Sequence, residues 1–192
     1  MISKMISMKL TRLFYKYYFI NKHQPVIITG VSGSGKTTVC RELIRLGYNA
    51  IDLDDIDGLY FIRHISSGKI VSGPLILTLE FVKQHIMLCN DREMKKIILE
   101  NSDNLVFYCG NLFEADHVYA MFKRIYLLKV SDKLQIDRLE IRPDNFWKNL
   151  EVQKWLLQCK KKLEDIICQQ NPILINADKN IEEIMEDIFQ TI

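Results

Sequence analysis

The chain has 192 residues, 48% hydrophobic and 26% charged, with a formal net charge of +2. That length suits one well-buried domain and is short for two, and the composition is globular. The balanced charge argues against a broad basic face for nucleic acid, and no run approaches the ~18 apolar residues of a membrane span.

Residues 1–24 read as a basic extension ahead of the first strand. Lys4, Lys9, Arg12, Lys16 and Lys22 occur there, and no acid precedes Glu42. Leu10, Leu13, Phe14, Tyr17 and Tyr18 recur at helical spacing, with Lys9, Arg12 and Lys16 mostly on the other side. Packing on the domain is the plain reading; docking to a partner or a membrane surface is the alternative. No uninterrupted apolar core precedes a small-residue cleavage site, so a secretory signal is not expected.

Pro25-Val26-Ile27-Ile28-Thr29 is a short β-branched run of the kind that forms a buried parallel strand. Directly after it comes Gly30-Val31-Ser32-Gly33-Ser34-Gly35-Lys36-Thr37, followed by Thr38. The octet fits G-x-x-x-x-G-K-[ST], the loop that wraps nucleotide phosphates. Its glycines let the backbone turn N–H groups inward at a helix N-terminus, which makes an anion nest. In that geometry Lys36 is expected to reach the β- and γ-phosphates of a nucleoside triphosphate and the Thr37 hydroxyl to ligate Mg²⁺. Val39, Leu43, Ile44 and Leu46 then share one side of a helix that stops at Gly47. Strand, glycine loop and helix in that order are the context the motif requires.

Four more strands are expected at 49–52, 105–109, 124–130 and 172–176. Helical patterns lie at about 91–101, 114–121, 131–141 and 148–169, and a last helix carries Ile181, Ile184, Met185, Ile188 and Ile192 on one face. Strands separated by helices imply an α/β domain over 25–192 with a parallel sheet covered on both faces. Residues 58–90 are the least regular and are the expected substrate-binding segment. Five cysteines without C-x-x-C or framework spacing suit reduced thiols in a cytoplasm.

Ligands of such sheets bind beyond the carboxyl ends of the strands, which selects the other residues of interest. Asp52 and Asp54 leave the second strand two apart. They suit a hydrated Mg²⁺ and the proton of an acceptor hydroxyl, with helix capping and turn chemistry as the alternative. Asp55 and Asp57 read as turn residues. Strand three ends in Cys109-Gly110-Asn111 rather than the carboxylate of motor ATPases and GTPases. Arg138 and Arg142 lie four apart, hence on one helix face, ahead of Pro143. They suit a lid that neutralises phosphoryl charge, with a solvated face paired to Asp137 or Glu140 as the alternative.

With these motifs the chain resembles a small P-loop kinase of the shikimate, gluconate and adenylate kinase group. Gly47-Tyr48-x-Ala50-Ile51-Asp52 and Phe107-Tyr108-Cys109-Gly110-Asn111 are also similar to bacterial kinase-like ATP-binding proteins of undefined substrate. The resemblance implies a three-layer P-loop NTPase fold with five parallel strands in the order 2-3-1-4-5. It implies a lid near 142–150 and transfer of the ATP γ-phosphoryl group to a small-molecule acceptor. Lys36 and Thr37 would then serve ATP and Mg²⁺, Asp52 the metal's water and Asp54 the acceptor. Arg142 and Arg138 would clamp phosphates, and Asn176-Ala177-Asp178 would stand at the adenine. The chain departs from shikimate kinases in lacking a glycine triplet after strand three, which leaves a nucleoside, a nucleotide or a sugar acid as acceptor. An ATP-binding regulatory or adaptor protein is the alternative. An RNA or DNA end kinase is weaker, since no basic-aromatic groove is evident.

Overall fold

A computed structural model of the chain describes residues 24–71, 77–101, 105–113 and 116–192. The basic extension lies outside the described residues except for Gln24, which opens the first strand. Along the chain come β1 (Gln24–Thr29), α1 (Lys36–Arg45), β2 (Asn49–Asp52), β3 (Tyr60–His64), β4 (Ile70–Val71), α2 (Leu79–Gln84) and β5 (His85–Cys89). They are followed by α3 (Asp91–Glu100), β6 (Leu105–Cys109), α4 (Asp116–Tyr119), β7 (Arg124–Lys129), α5 (Asp132–Glu140), α6 (Leu150–Cys168), β8 (Ile173–Asn176) and α7 (Ile181–Phe189).

The five strands expected from the sequence form one parallel sheet in the order β2-β6-β1-β7-β8. Three antiparallel strands that the sequence did not signal take the numbers between, so the expected 2-3-1-4-5 becomes this order. Central β1 is buried on both sides, which explains its continuous apolar run. Val26 and Ile28 face one core layer with Val39 and Leu43 of α1 and Ile184, Met185 and Ile188 of α7. Ile27 faces the other, with Met94 and Ile98 of α3, Val118 of α4 and Ile167 of α6. Helices thus cover both faces, in three layers.

Helix boundaries follow local chemistry. Ser131, Asn149 and Asn180 cap α5, α6 and α7 through side-chain oxygens that accept early backbone N–H groups. Asn180 and Glu183 complete a capping box on α7.

The expectation of irregular structure over 58–90 is corrected. These residues hold a three-stranded antiparallel sheet, β4-β3-β5, and the short helix α2. Every residue of β3 is half-buried, so the strand shows neither a solid apolar run nor a clean alternation. The small sheet joins the domain where Cys89 N donates to Phe113 O (3.2 Å), and the bond from Asn90 N to Leu59 O (2.7 Å) extends the β3–β5 ladder.

Candidate phosphate-binding site

The glycine loop links the carboxyl end of central β1 to α1. Gly30 has φ +151°, and a Cβ there would lie 2.7 Å from Ser34 Oγ and 2.9 Å from Leu128 O. Only glycine fits so tight a turn without displacement. Helix α1 starts from Gly35 with no side-chain cap and no acid in its first turn. Its positive end is therefore left for an anion.

Lys36 opens that helix and is 9% exposed. Its ammonium donates to Gly30 O (2.9 Å) and Val31 O (3.1 Å). Burial lowers its pKa from 10.5 to about 8; Asp54 opposes the shift, Arg142 adds to it and Asp52 opposes it. Thr37 is half-buried on the first turn of α1, and Thr38 is exposed.

The acids leave β2 on a 3₁₀ turn, Leu53–Asp55. One Asp52 oxygen accepts Asp54 N (3.1 Å), so Asp52 caps that turn. The turn lies close to the third parallel strand because Gly110 has no side chain. A Cβ on Gly110 would come within 2.6 Å of Leu53 Cβ. Asp54 sits at the exposed lip of the cleft, yet surrounding protein desolvates its carboxyl and raises its pKa. Lys36 counters that shift, Asp52 and Asp55 reinforce it, and Arg142 also counters it. Asp55 and Asp57 are exposed. Asn111 is buried, with Oδ1 accepting Thr29 Oγ1 (2.8 Å) and its carbonyl accepting Tyr60 Oη (2.8 Å).

The two arginines expected on one helix face diverge, because α5 ends at Glu140, before Arg142. Arg138 donates from Nη1 to Gly33 O (3.2 Å) and Ser34 O (3.3 Å), and from Nη2 to Ala177 O (3.0 Å). Arg142, just past the helix end, lies 4.8 Å over the Trp147 ring. Burial lowers its pKa, and Asp54 opposes that shift. Over the expected lid, residues 145–148 form a 3₁₀ turn capped by Asp144, whose Oδ1 accepts Phe146 N (2.8 Å).

These groups meet around one cavity of about 500 Å³. Ser32, Gly33, Ser34, Gly35, Lys36, Thr37, Thr38, Asp54, Arg138 and Arg142 line it. Gly30, Val31 and Asp52 are not among the lining residues. Asn176, Ala177 and Asp178 do not line the cavity either. Asn176 Oδ1 accepts Asp178 N (3.0 Å), Ala177 is fully buried, and Asp178 Oδ1 accepts Ser131 N (2.8 Å). Ile141, Lys179, Asn180, Ile181 and Ile184 also line the cavity, residues that the sequence pattern did not assign to the site. The pattern also missed Gln135, a buried amide that donates from Nε2 to Ser32 O (3.0 Å). Its position three residues before Arg138, on the same helix face, was the available signal.

Thr37 and Asp52 carry hard oxygen ligands, while the described residues contain no cluster of three or more His, Cys, Asp or Glu able to hold a metal. Such a donor set fits Mg²⁺ held largely by phosphate oxygens and water, with one or two protein ligands.

A strand, a glycine loop and an uncapped helix that turn a buried ammonium and free helix-end dipoles toward one cavity define a P-loop domain of α/β type. A family model described as an AAA domain matches residues 26–156, and the chain belongs to that family. Among solved structures, the chain is similar to a shikimate kinase from Bacteroides thetaiotaomicron, at 18% identity and a TM-score of 0.53, covering 87% of this chain and 95% of that one. It is similar to a shikimate kinase from Acinetobacter baumannii in complex with shikimate, at 17% identity and a TM-score of 0.54, covering 88% and 92%. It is also similar to a gluconokinase from Sinorhizobium meliloti 1021, at 19% identity and a TM-score of 0.53, covering 88% and 91%. At these identities the shared property is the small P-loop kinase fold. No curated protein sequence matches the chain.

Proposed function

We propose that the protein is an ATP-dependent phosphotransferase that moves the γ-phosphoryl group to a small acceptor, a nucleoside, a nucleotide or a sugar acid. The observation that carries this reading is the meeting of Lys36, Asp54 and Arg142 at the mouth of the glycine loop. Phosphate binding alone does not call for a carboxylate in the same cavity as the loop lysine. Phosphoryl transfer to a hydroxyl does. The kinases whose fold the chain shares support the same class of reaction.

Each residue then has a defined task. The loop and the first turn of α1 bind the polyphosphate tail through backbone N–H groups. Lys36 exchanges its contacts with Gly30 O and Val31 O for phosphate oxygens, whose charge restores its full protonation. Asp54, with its raised pKa, orients the acceptor hydroxyl and takes its proton as the new O–P bond forms and the bond to the ADP oxygen breaks. Arg142 offsets the charge on the transferring group. Thr37 and Asp52 would hold magnesium, which would supply positive charge to the phosphate tail.

The test is acceptor-dependent ADP release across nucleosides, nucleoside monophosphates and sugar acids. Turnover with one class, lost in Asp54→Asn, supports the proposal. Saturable ATP binding without turnover on any acceptor contradicts it and favours the regulatory or adaptor reading.

A further inference from the structure

We infer that helix α5 is a brace for the phosphate loop and that Gln135 and Arg138 are positioning residues rather than phosphate ligands. This inference rests on the reading that the loop binds nucleotide phosphates. A P-loop binds anions only while its carbonyls point away from the cavity and its N–H groups point in. Three consecutive carbonyls of this loop accept hydrogen bonds from side chains of α5. Ser32 O accepts Gln135 Nε2 (3.0 Å), and Gly33 O and Ser34 O accept Arg138 Nη1 (3.2 and 3.3 Å).

Helix and loop are in direct contact. A Cβ on Gly33 would lie 3.2 Å from Gln135 O and 3.4 Å from Leu139 Cγ. The brace is itself anchored to the turn after β8, through Arg138 Nη2 to Ala177 O (3.0 Å) and Ser131 N to Asp178 Oδ1 (2.8 Å). The guanidinium therefore ties two separate chain segments together by three carbonyls. A planar fork of donors spans such a set, and a lysine ammonium does not. Gln135 is 1% exposed, and its Oε1 has no hydrogen-bond partner among the described residues. Keeping a half-satisfied buried amide there is costly, and its bond to Ser32 O is what it provides.

The experiment compares Arg138→Met, Arg138→Lys and Gln135→Met with the wild-type chain. The readouts are the Gly33 and Gly35 amide resonances of the ligand-free protein, the thermal midpoint, and calorimetric affinity for tripolyphosphate and for magnesium ATP. Both Arg138 variants are expected to move the two loop amides without ligand and to weaken both anions alike, by about tenfold. Gln135→Met is expected to weaken both by about fivefold. Arg138→Lys with wild-type affinity would overturn the brace, because a point charge would then suffice. Unmoved free-state amides, or a loss confined to magnesium ATP, would overturn it as well. If Arg138→Met does not fold, Gln135→Met decides by the same amide and affinity readouts. Wild-type protein that binds neither anion would refute the phosphotransferase reading, while the free-state amide shifts would still judge the brace.

Discussion

Lys36→Met is expected to change how stability depends on pH. The ammonium is held almost entirely out of water, and its pKa falls from 10.5 to about 8. Between those values the unfolded chain keeps a proton on Lys36 that the folded chain has released, so wild-type stability rises with pH in that window. Below pH 8 the full penalty of a buried charge is present, about 3 kcal/mol from the difference of the two pKa values. Methionine removes this penalty but also deletes the bonds to Gly30 O and Val31 O, together worth about 2–4 kcal/mol. The net change at neutral pH is therefore small and undiagnostic, whereas the slope is specific to Lys36. Urea unfolding of both proteins at several pH values isolates it. Wild-type stability minus variant stability should climb by about 2 kcal/mol from pH 7.5 to pH 10. Parallel curves would refute a buried ammonium at the loop.

Other perturbations follow from the same geometry. Polyphosphate should bind the protonated form of Lys36, so magnesium ATP affinity should fall above pH 8, by up to about tenfold per unit, and a calorimetric titration at pH 7, 8 and 9 reads this directly. Asp54 has a raised pKa, so the acid limb of turnover should lie above the usual carboxylate range. Asp54→Asn should lower kcat by roughly 10²–10⁴-fold with nucleotide affinity retained, which steady-state kinetics separates. Gly110→Ala should displace Leu53 and the turn that carries Asp54, costing about 1–3 kcal/mol in urea unfolding and lowering kcat more than nucleotide affinity.

The parallel sheet was legible in the sequence because its central strands are buried on both faces and so read as solid apolar runs. The small sheet was not, since Tyr60-Phe61-Ile62-Arg63-His64 is half-buried throughout and β4 has only two residues. The glycine loop was legible because its spacing is itself the geometry. Residues after β8 show the opposite case. The sequence placed Asn176-Ala177-Asp178 at the carboxyl end of a strand, where β8 ends, but not the direction of each side chain. Asp178 turns toward Ser131, and the cavity is met one turn later by Lys179, Asn180 and Ile181. Arg138 lies on α5, but the helix ends at Glu140, so Arg142 does not share its face despite the four-residue spacing. Their different partners come from the loop and the turn packed against α5, which no local pattern encodes.

Direct calorimetric titration of the wild-type chain with magnesium ATP, repeated on Lys36→Met, probes the phosphate grip on which the proposed chemistry stands. Saturable one-to-one binding that drops by at least tenfold in the variant is expected. No binding by folded protein, or equal binding by both, would contradict it.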